Sequence, residues 1–110
     1  MIQDTIEQIE ARLRDSGSLS AENRAELQSL LAKLKSEVAG LSETHREQAE
    51  SIAGFAAVSA HEATREERNP QLLRHALDGL SSSVAGFEES HPRLVKVVNS
   101  ICITLSNLGI

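Results

Sequence analysis

The feature that most constrains the fold is an internal repeat: the segment at residues 34–45 recurs at residues 80–91. At a constant offset, the two segments are identical at seven of twelve positions. Self-similarity of this kind is typical of one structural unit used twice. We interpret it as two copies of a helical hairpin, in which a long helix turns near a histidine and a second helix returns. The alternative is that the match reflects only the apolar spacing shared by any two antiparallel hairpins.

Apolar residues recur every three or four positions along both copies, which is the spacing of a helix with one buried face. The pattern predicts five helices, over residues 3–14, 20–42, 44–65, 70–89 and 92–108. The side chains predicted to form the core are Leu31, Leu34, Val38, Leu77, Leu80, Val84, Phe87, Leu94, Val98, Ile101 and Leu105.

Polar residues mark where three of these helices begin. Ser20 suits the N-cap of the second helix, since a serine hydroxyl accepts a hydrogen bond from a free backbone N–H group of the first turn. Thr44 followed by Glu47 predicts a capping box at the start of the third helix. Asn69 before Pro70 predicts the start of the fourth, with asparagine as the N-cap and proline at the first helical position.

Composition agrees with helix-on-helix packing. Aromatic residues make up 2% of the chain, with Phe55 and Phe87 as its two phenylalanines and no Trp or Tyr. Sheets are enriched in β-branched and aromatic residues, so this profile disfavours them. A chain of 110 residues suits one domain with a modest core. We predict an all-α protein, with residues 1–110 forming a single antiparallel helical bundle of two similar hairpins plus a short N-terminal helix.

Charge and cysteine content exclude several classes of function. The net charge of −5, with Lys and Arg scattered among more numerous acids, predicts no nucleic-acid binding. No apolar run approaches the ~20 residues that a bilayer crossing needs, and the acidic N-terminus is unlike a signal peptide. Cys102 is the single cysteine and cannot form an internal disulfide. We therefore predict a cytoplasmic protein with no membrane association.

The third and fourth predicted helices are rich in small residues. The third carries a seam of alanines that would let a neighbouring backbone approach closely, because helix separation follows side-chain size at the contact. The fourth contains Gly79, residues 81–83 (all serine) and Gly86, which are weak helix formers. Packing must hold the fourth segment helical, and a break is expected there first.

The last predicted helix carries more apolar surface than one core face needs. Val95, Cys102 and Ile103 lie outside its core seam, and together with Leu108 they are predicted to form an interface. We predict a homo-oligomer, with a twofold dimer favoured, or contact with an unidentified protein partner. The rival explanation is that the short first helix folds over this surface within the same chain.

Motifs that would carry chemistry are incomplete. Glu88 and His91 have the Glu-x-x-His spacing of di-metal bundles, but the repeat has Ser42 where a second glutamate belongs. Cys102 lies in the most apolar helix, where a thiol behaves as a small hydrophobic side chain. We predict no catalytic, cofactor-binding or metal-binding residue, and we interpret His45 and His91 as turn or capping residues.

Both ends of the chain resemble a known family. The C-terminal residues that carry the resemblance are Phe87, Glu88, Ser90, His91, Pro92, Leu94, Leu105, Asn107, Leu108, Gly109 and Ile110. They resemble the closing motif of domain of unknown function 4404, a family of short bacterial helical proteins, and the first forty residues resemble its opening. Residues 44–68 depart from the pattern. The resemblance implies a helical fold and a bacterial origin, and it provides no catalytic residues.

Two functions remain as hypotheses. The first is a non-enzymatic interaction or structural protein, a self-associating helical bundle. The second is a bundle that binds a small molecule or a metal beside the small-residue faces of the third and fourth helices. A sizeable apolar interface would favour the first, whereas the second needs a cavity with converging polar groups.

Overall fold

The computed structural model describes residues 2–17 and 19–108, and all regular structure within them is helical. Its five helices are α1 (Ile2–Asp15), α2 (Ala21–Leu41), α3 (Arg46–Thr64), α4 (Pro70–Ser83) and α5 (Pro92–Leu108). The predicted all-α bundle is confirmed. Gly109 and Ile110 of the closing motif lie outside the described residues. None of the described helices is both long enough and apolar enough to span a bilayer.

Two of the predicted helix starts are confirmed by their hydrogen bonds. The Ser20 hydroxyl accepts from the backbone N–H of Asn23 at 3.1 Å. The Asn69 side chain accepts from the N–H groups of Gln71 and Leu72, both at 3.1 Å. These side chains satisfy backbone donors that the first turn of a helix leaves free.

The capping box predicted at Thr44 is wrong. Helix α3 begins at Arg46 with His45 as the N-cap residue, and no side-chain hydrogen bond caps it. The Thr44 hydroxyl instead donates to the carbonyl of Leu41 at 3.4 Å, and the His45 N–H donates to the same carbonyl at 2.8 Å. Residues 42–45 therefore close α2, because its last carbonyls need donors as much as the first N–H groups of α3 need acceptors.

Helix α4 ends at Ser83, six residues before the predicted end at residue 89. The Ser83 hydroxyl donates to the Leu80 carbonyl at 2.6 Å, and Gly86 has a φ of 96°. Serines that bond to nearby carbonyls weaken a helix interior, and a positive φ is accessible mainly to glycine. The weak helix formers noted in the sequence thus end the helix early.

The two predicted hairpins pack against each other, each helix of one hairpin against a helix of the other. Helix α3 packs most extensively on α4 and also on α1, whereas α2 packs on α5 and α1. Helix α5 also lies against α4 and α3. No Cα atom in the described residues of α1 lies within 8 Å of a Cα atom of α5, and Ile103 of α5 is 63% exposed, so the first helix does not cover the extra apolar surface of the last.

The core follows the predicted positions closely. Nine of the eleven predicted core residues are buried, and the exceptions, Leu77 and Phe87, are half-buried and pack against the core. The positions that are identical in the two copies have the same degree of burial: Leu34 and Leu80 are both 0% exposed, and His45 and His91 are both half-buried. This agreement is what a repeated structural unit predicts.

The small-residue face of α3 permits the close approach expected from the sequence. Its buried side chains facing neighbouring helices include Ala49, Ala53, Ala56, Ala60 and Ala63. A Cβ atom added to Gly79 of α4 would overlap the ring of Phe55, which therefore lies directly on the glycine. Any larger side chain at position 79 would have to displace this ring.

This contact makes the effect of Gly79→Ala depend on Phe55. Alanine in a helix is ordinarily more stable than glycine by about 0.5–1 kcal/mol. In the natural chain we expect the displaced ring to cancel that gain or reverse it, whereas in a Phe55→Ala background the same substitution should stabilise. Urea denaturation of the four variants measures this difference. Equal effects of Gly79→Ala in both backgrounds would contradict the contact.

Candidate interaction site

The candidate site is an open groove between α4 and α5 with a volume of about 580 Å³. Its apolar lining comes from Leu73 and Leu77 of α4 and from Cys102 and Ile103 of α5. Helix periodicity places these side chains here: residues 73 and 77 are one turn apart, and residues 102 and 103 lie beside the buried seam of α5.

The four predicted interface residues have different environments. Ile103 is 63% exposed, the highest value among the exposed large apolar side chains of the described residues. Val95, Cys102 and Leu108 are half-buried and pack against the core. Cys102 and Ile103 line the groove, whereas Val95 and Leu108 do not. The structure thus brings two of the four together at one open face.

The chemistry of Cys102 follows from its half-buried position. Burial raises the pKa of its thiol, and the nearby negative charge of Asp78 raises it further. Its Sγ atom lies 3.9 Å from the Leu77 carbonyl, to which it donates. A thiol with a raised pKa is a poor nucleophile at neutral pH, because the thiolate is the reactive form.

Arg74 and Asp78 provide the charged part of the groove, and neither was predicted from the sequence. Both are exposed, both line the groove, and neither forms an ion pair with any described residue. They stand one helical turn apart on α4. The signal that could have identified them is their spacing beside Leu73 and Leu77, which places all four on one side of the helix.

His45 and His91, predicted as turn or capping residues, lie together at one end of the bundle. Their ring centroids are 6.2 Å apart, and each ring meets Phe87 edge-on with centroids 5.4 Å apart. Each Nδ1 atom is also close to the hydroxyl of the preceding residue, at 2.7 Å for Thr44 and 2.9 Å for Ser90. The two matched histidines therefore join the α2–α3 turn to the α4–α5 turn.

Within residues 2–17 and 19–108, no three His, Cys, Asp or Glu side chains are placed to hold a metal ion. The Glu88 carboxylate, part of the Glu-x-x-His spacing, accepts a hydrogen bond from the Gly86 N–H at 2.7 Å. Glu88 thus stabilises the left-handed turn at Gly86.

Comparison with known proteins gives one family. A family profile described as a domain of unknown function (DUF4404) matches residues 2–110. The match includes α3, so the expectation that residues 44–68 depart from the family is wrong. No curated protein and no solved structure matches the chain.

Proposed function

The chain belongs to the family described as domain of unknown function 4404, and since that description assigns no activity, we propose a function from the groove itself. The protein is a non-enzymatic interaction protein that associates with a second copy through the α4–α5 face. The observation that carries this proposal is the 63% exposure of Ile103 beside an open apolar groove. Exposed apolar surface of this kind favours association, and α1 leaves it uncovered.

The charges of the groove favour a second copy of the same chain as the occupant. A twofold contact buries the same surface of both subunits. If one residue of the first subunit contacts a second residue of the partner, the second residue of the first subunit also contacts the first residue of the partner. Arg74 of one copy can then meet Asp78 of the other, and both pairs form at once. One base and one acid leave the face electrically balanced in a protein of net charge −5, so two copies can meet there without net repulsion.

Replacing Ile103 by Glu should weaken self-association by about a hundredfold or more, because each subunit would bury an unpaired charge in place of an apolar side chain. The matched control is Val58→Glu on α3, since Val58 is 49% exposed and has no place in the groove. Sedimentation equilibrium of both variants measures the change. Equal loss in the two variants would contradict the assignment of this face.

A charge swap tests the pairing separately. Arg74→Asp and Asp78→Arg should each weaken the dimer by about fivefold or more, and the double variant should recover most of the affinity. Recovery is expected only if the two side chains meet across the interface. Additive losses in the double variant would show that they do not.

A further inference from the structure

A second groove, between α2 and α5, has a charge opposite to that of the protein as a whole. It has a volume of about 390 Å³, and its apolar floor is formed by the half-buried Leu30 and Val97. Lys33 of α2 and Arg93 and Lys96 of α5 stand along its walls. No basic patch is apparent in the sequence, because these residues come from two distant segments that only the fold brings together.

The three cations of this groove outnumber its acids. None of them forms a hydrogen bond or ion pair with another described residue, whereas the neighbouring Lys35 pairs with Glu7 at 2.8 Å. Glu37 is the one acid in the lining. Arg93 also lies in the first turn of α5, where the helix dipole adds partial positive charge. The groove thus attracts negative charge in a protein of net charge −5.

The groove runs along two helices for about two helical turns. Its α2 residues are at positions 30, 33 and 37, and its α5 residues run in the opposite direction from 100 to 93. Seven residues of helix span about 10 Å, or two turns. A third helix laid between the two walls would place apolar residues at i, i+3 or i+4, and i+7 against the floor, with its flanks beside the cations.

We propose that the α2–α5 groove binds an amphipathic helix of another protein, with an apolar stripe about two turns long flanked by Asp or Glu. A second copy does not fit, because the large apolar side chains exposed on the described helices are Phe55, Val58, Leu72 and Ile103. The exposed faces around them carry too few acids to match three cations. The two grooves share no lining residue, because α5 contributes residues 93–100 to this groove and residues 102–107 to the α4–α5 groove.

Nucleic acid is also negatively charged, but it suits this groove less well than an acidic amphipathic helix does. Affinity for a phosphate backbone comes mainly from the number of phosphates neutralised, and proteins that depend on it make about 6–10 such contacts. Three cations over two turns fall well short of that number, and no Trp, Tyr or Phe lines the groove to stack on bases. An apolar floor between basic walls suits a side chain such as leucine.

The test uses a fluorescein-labelled helical peptide of about 16 residues with leucines at i, i+4 and i+7 and flanking glutamates. We expect saturable binding by fluorescence anisotropy that weakens about tenfold or more in Lys33→Glu/Lys96→Glu. The control variant is Arg14→Glu/Arg46→Glu, which changes the net charge equally on exposed positions outside the groove and should bind as the natural chain does.

Two further peptides separate the contribution of the flanking glutamates to binding from the contribution of the leucines. A peptide with the same leucines and lysine flanks should not bind, and a peptide with the glutamates but serines for leucines should bind at least about tenfold more weakly. The proposal is overturned by an equal loss in the control variant, by no binding of the acidic peptide, or by a single-stranded oligonucleotide that binds the groove more tightly than the peptide.

Discussion

Replacing Leu80 with Ala should lower the free energy of unfolding by about 2–5 kcal/mol, because the side chain is fully buried and its removal leaves a cavity. We expect Leu34→Ala to lower the free energy of unfolding by a similar amount, since the repeat matches Leu34 to Leu80 and the two are equally buried. Urea denaturation at one fixed protein concentration measures both losses, because association would make stability depend on concentration.

The control for Leu80 is Leu72→Ala on the same helix. Leu72 is 45% exposed, so its truncation removes fewer contacts and should cost about 1 kcal/mol or less. If Leu80→Ala costs no more than Leu72→Ala, the core described for α4 is wrong. If Leu34→Ala and Leu80→Ala differ by several kcal/mol, the two hairpins are not equivalent units.

Replacing Phe87 with Ala should cost about 2–3 kcal/mol. This is below the usual value for a fully buried phenylalanine, since the Phe87 side chain is half-buried. Part of the loss is the edge-on contact with His45 and His91, because aromatic pairs stabilise by about 0.5–1.5 kcal/mol beyond their buried area. Thermal unfolding followed by circular dichroism measures the total.

A double-mutant cycle between Phe87→Ala and His45→Ala isolates that contact. We expect the two losses to be less than additive by about 0.5 kcal/mol or more, because either substitution removes the same ring pair. Phe87→Ala with Ser51→Ala is the matched control, since Ser51 is exposed on α3 and outside the cluster. Full additivity for Phe87 and His45 would mean that the rings do not stabilise one another.

The helices were predictable wherever the sequence carried a strong local signal. Ser20 and Asn69 act as predicted because each side chain meets the free N–H groups of its own helix. The weak helix formers of the fourth segment predicted a break in it, but the apolar spacing continues to Phe87, so the sequence did not place the end of α4 at Ser83. The capping box predicted at Thr44 was wrong because the Thr44 hydroxyl donates to the carbonyl of Leu41 at the end of α2.

The surfaces were predictable only in part. Ile103 stood out because it lies off the core seam of its own helix, which is a local property. The cations of the α2–α5 groove did not stand out, because Lys33 is far in sequence from Arg93 and Lys96. Their grouping depends on α2 packing against α5, and that pairing of helices is a property of the fold.

The measurement that tests self-association most directly is the mass of the natural chain by light scattering across a dilution series. The chain has a mass of 11.9 kDa, and at tens of micromolar we expect twice that value, falling toward the single-chain mass on dilution. A mass of 11.9 kDa at every concentration up to that range would contradict the account, because the α4–α5 face would then remain in water.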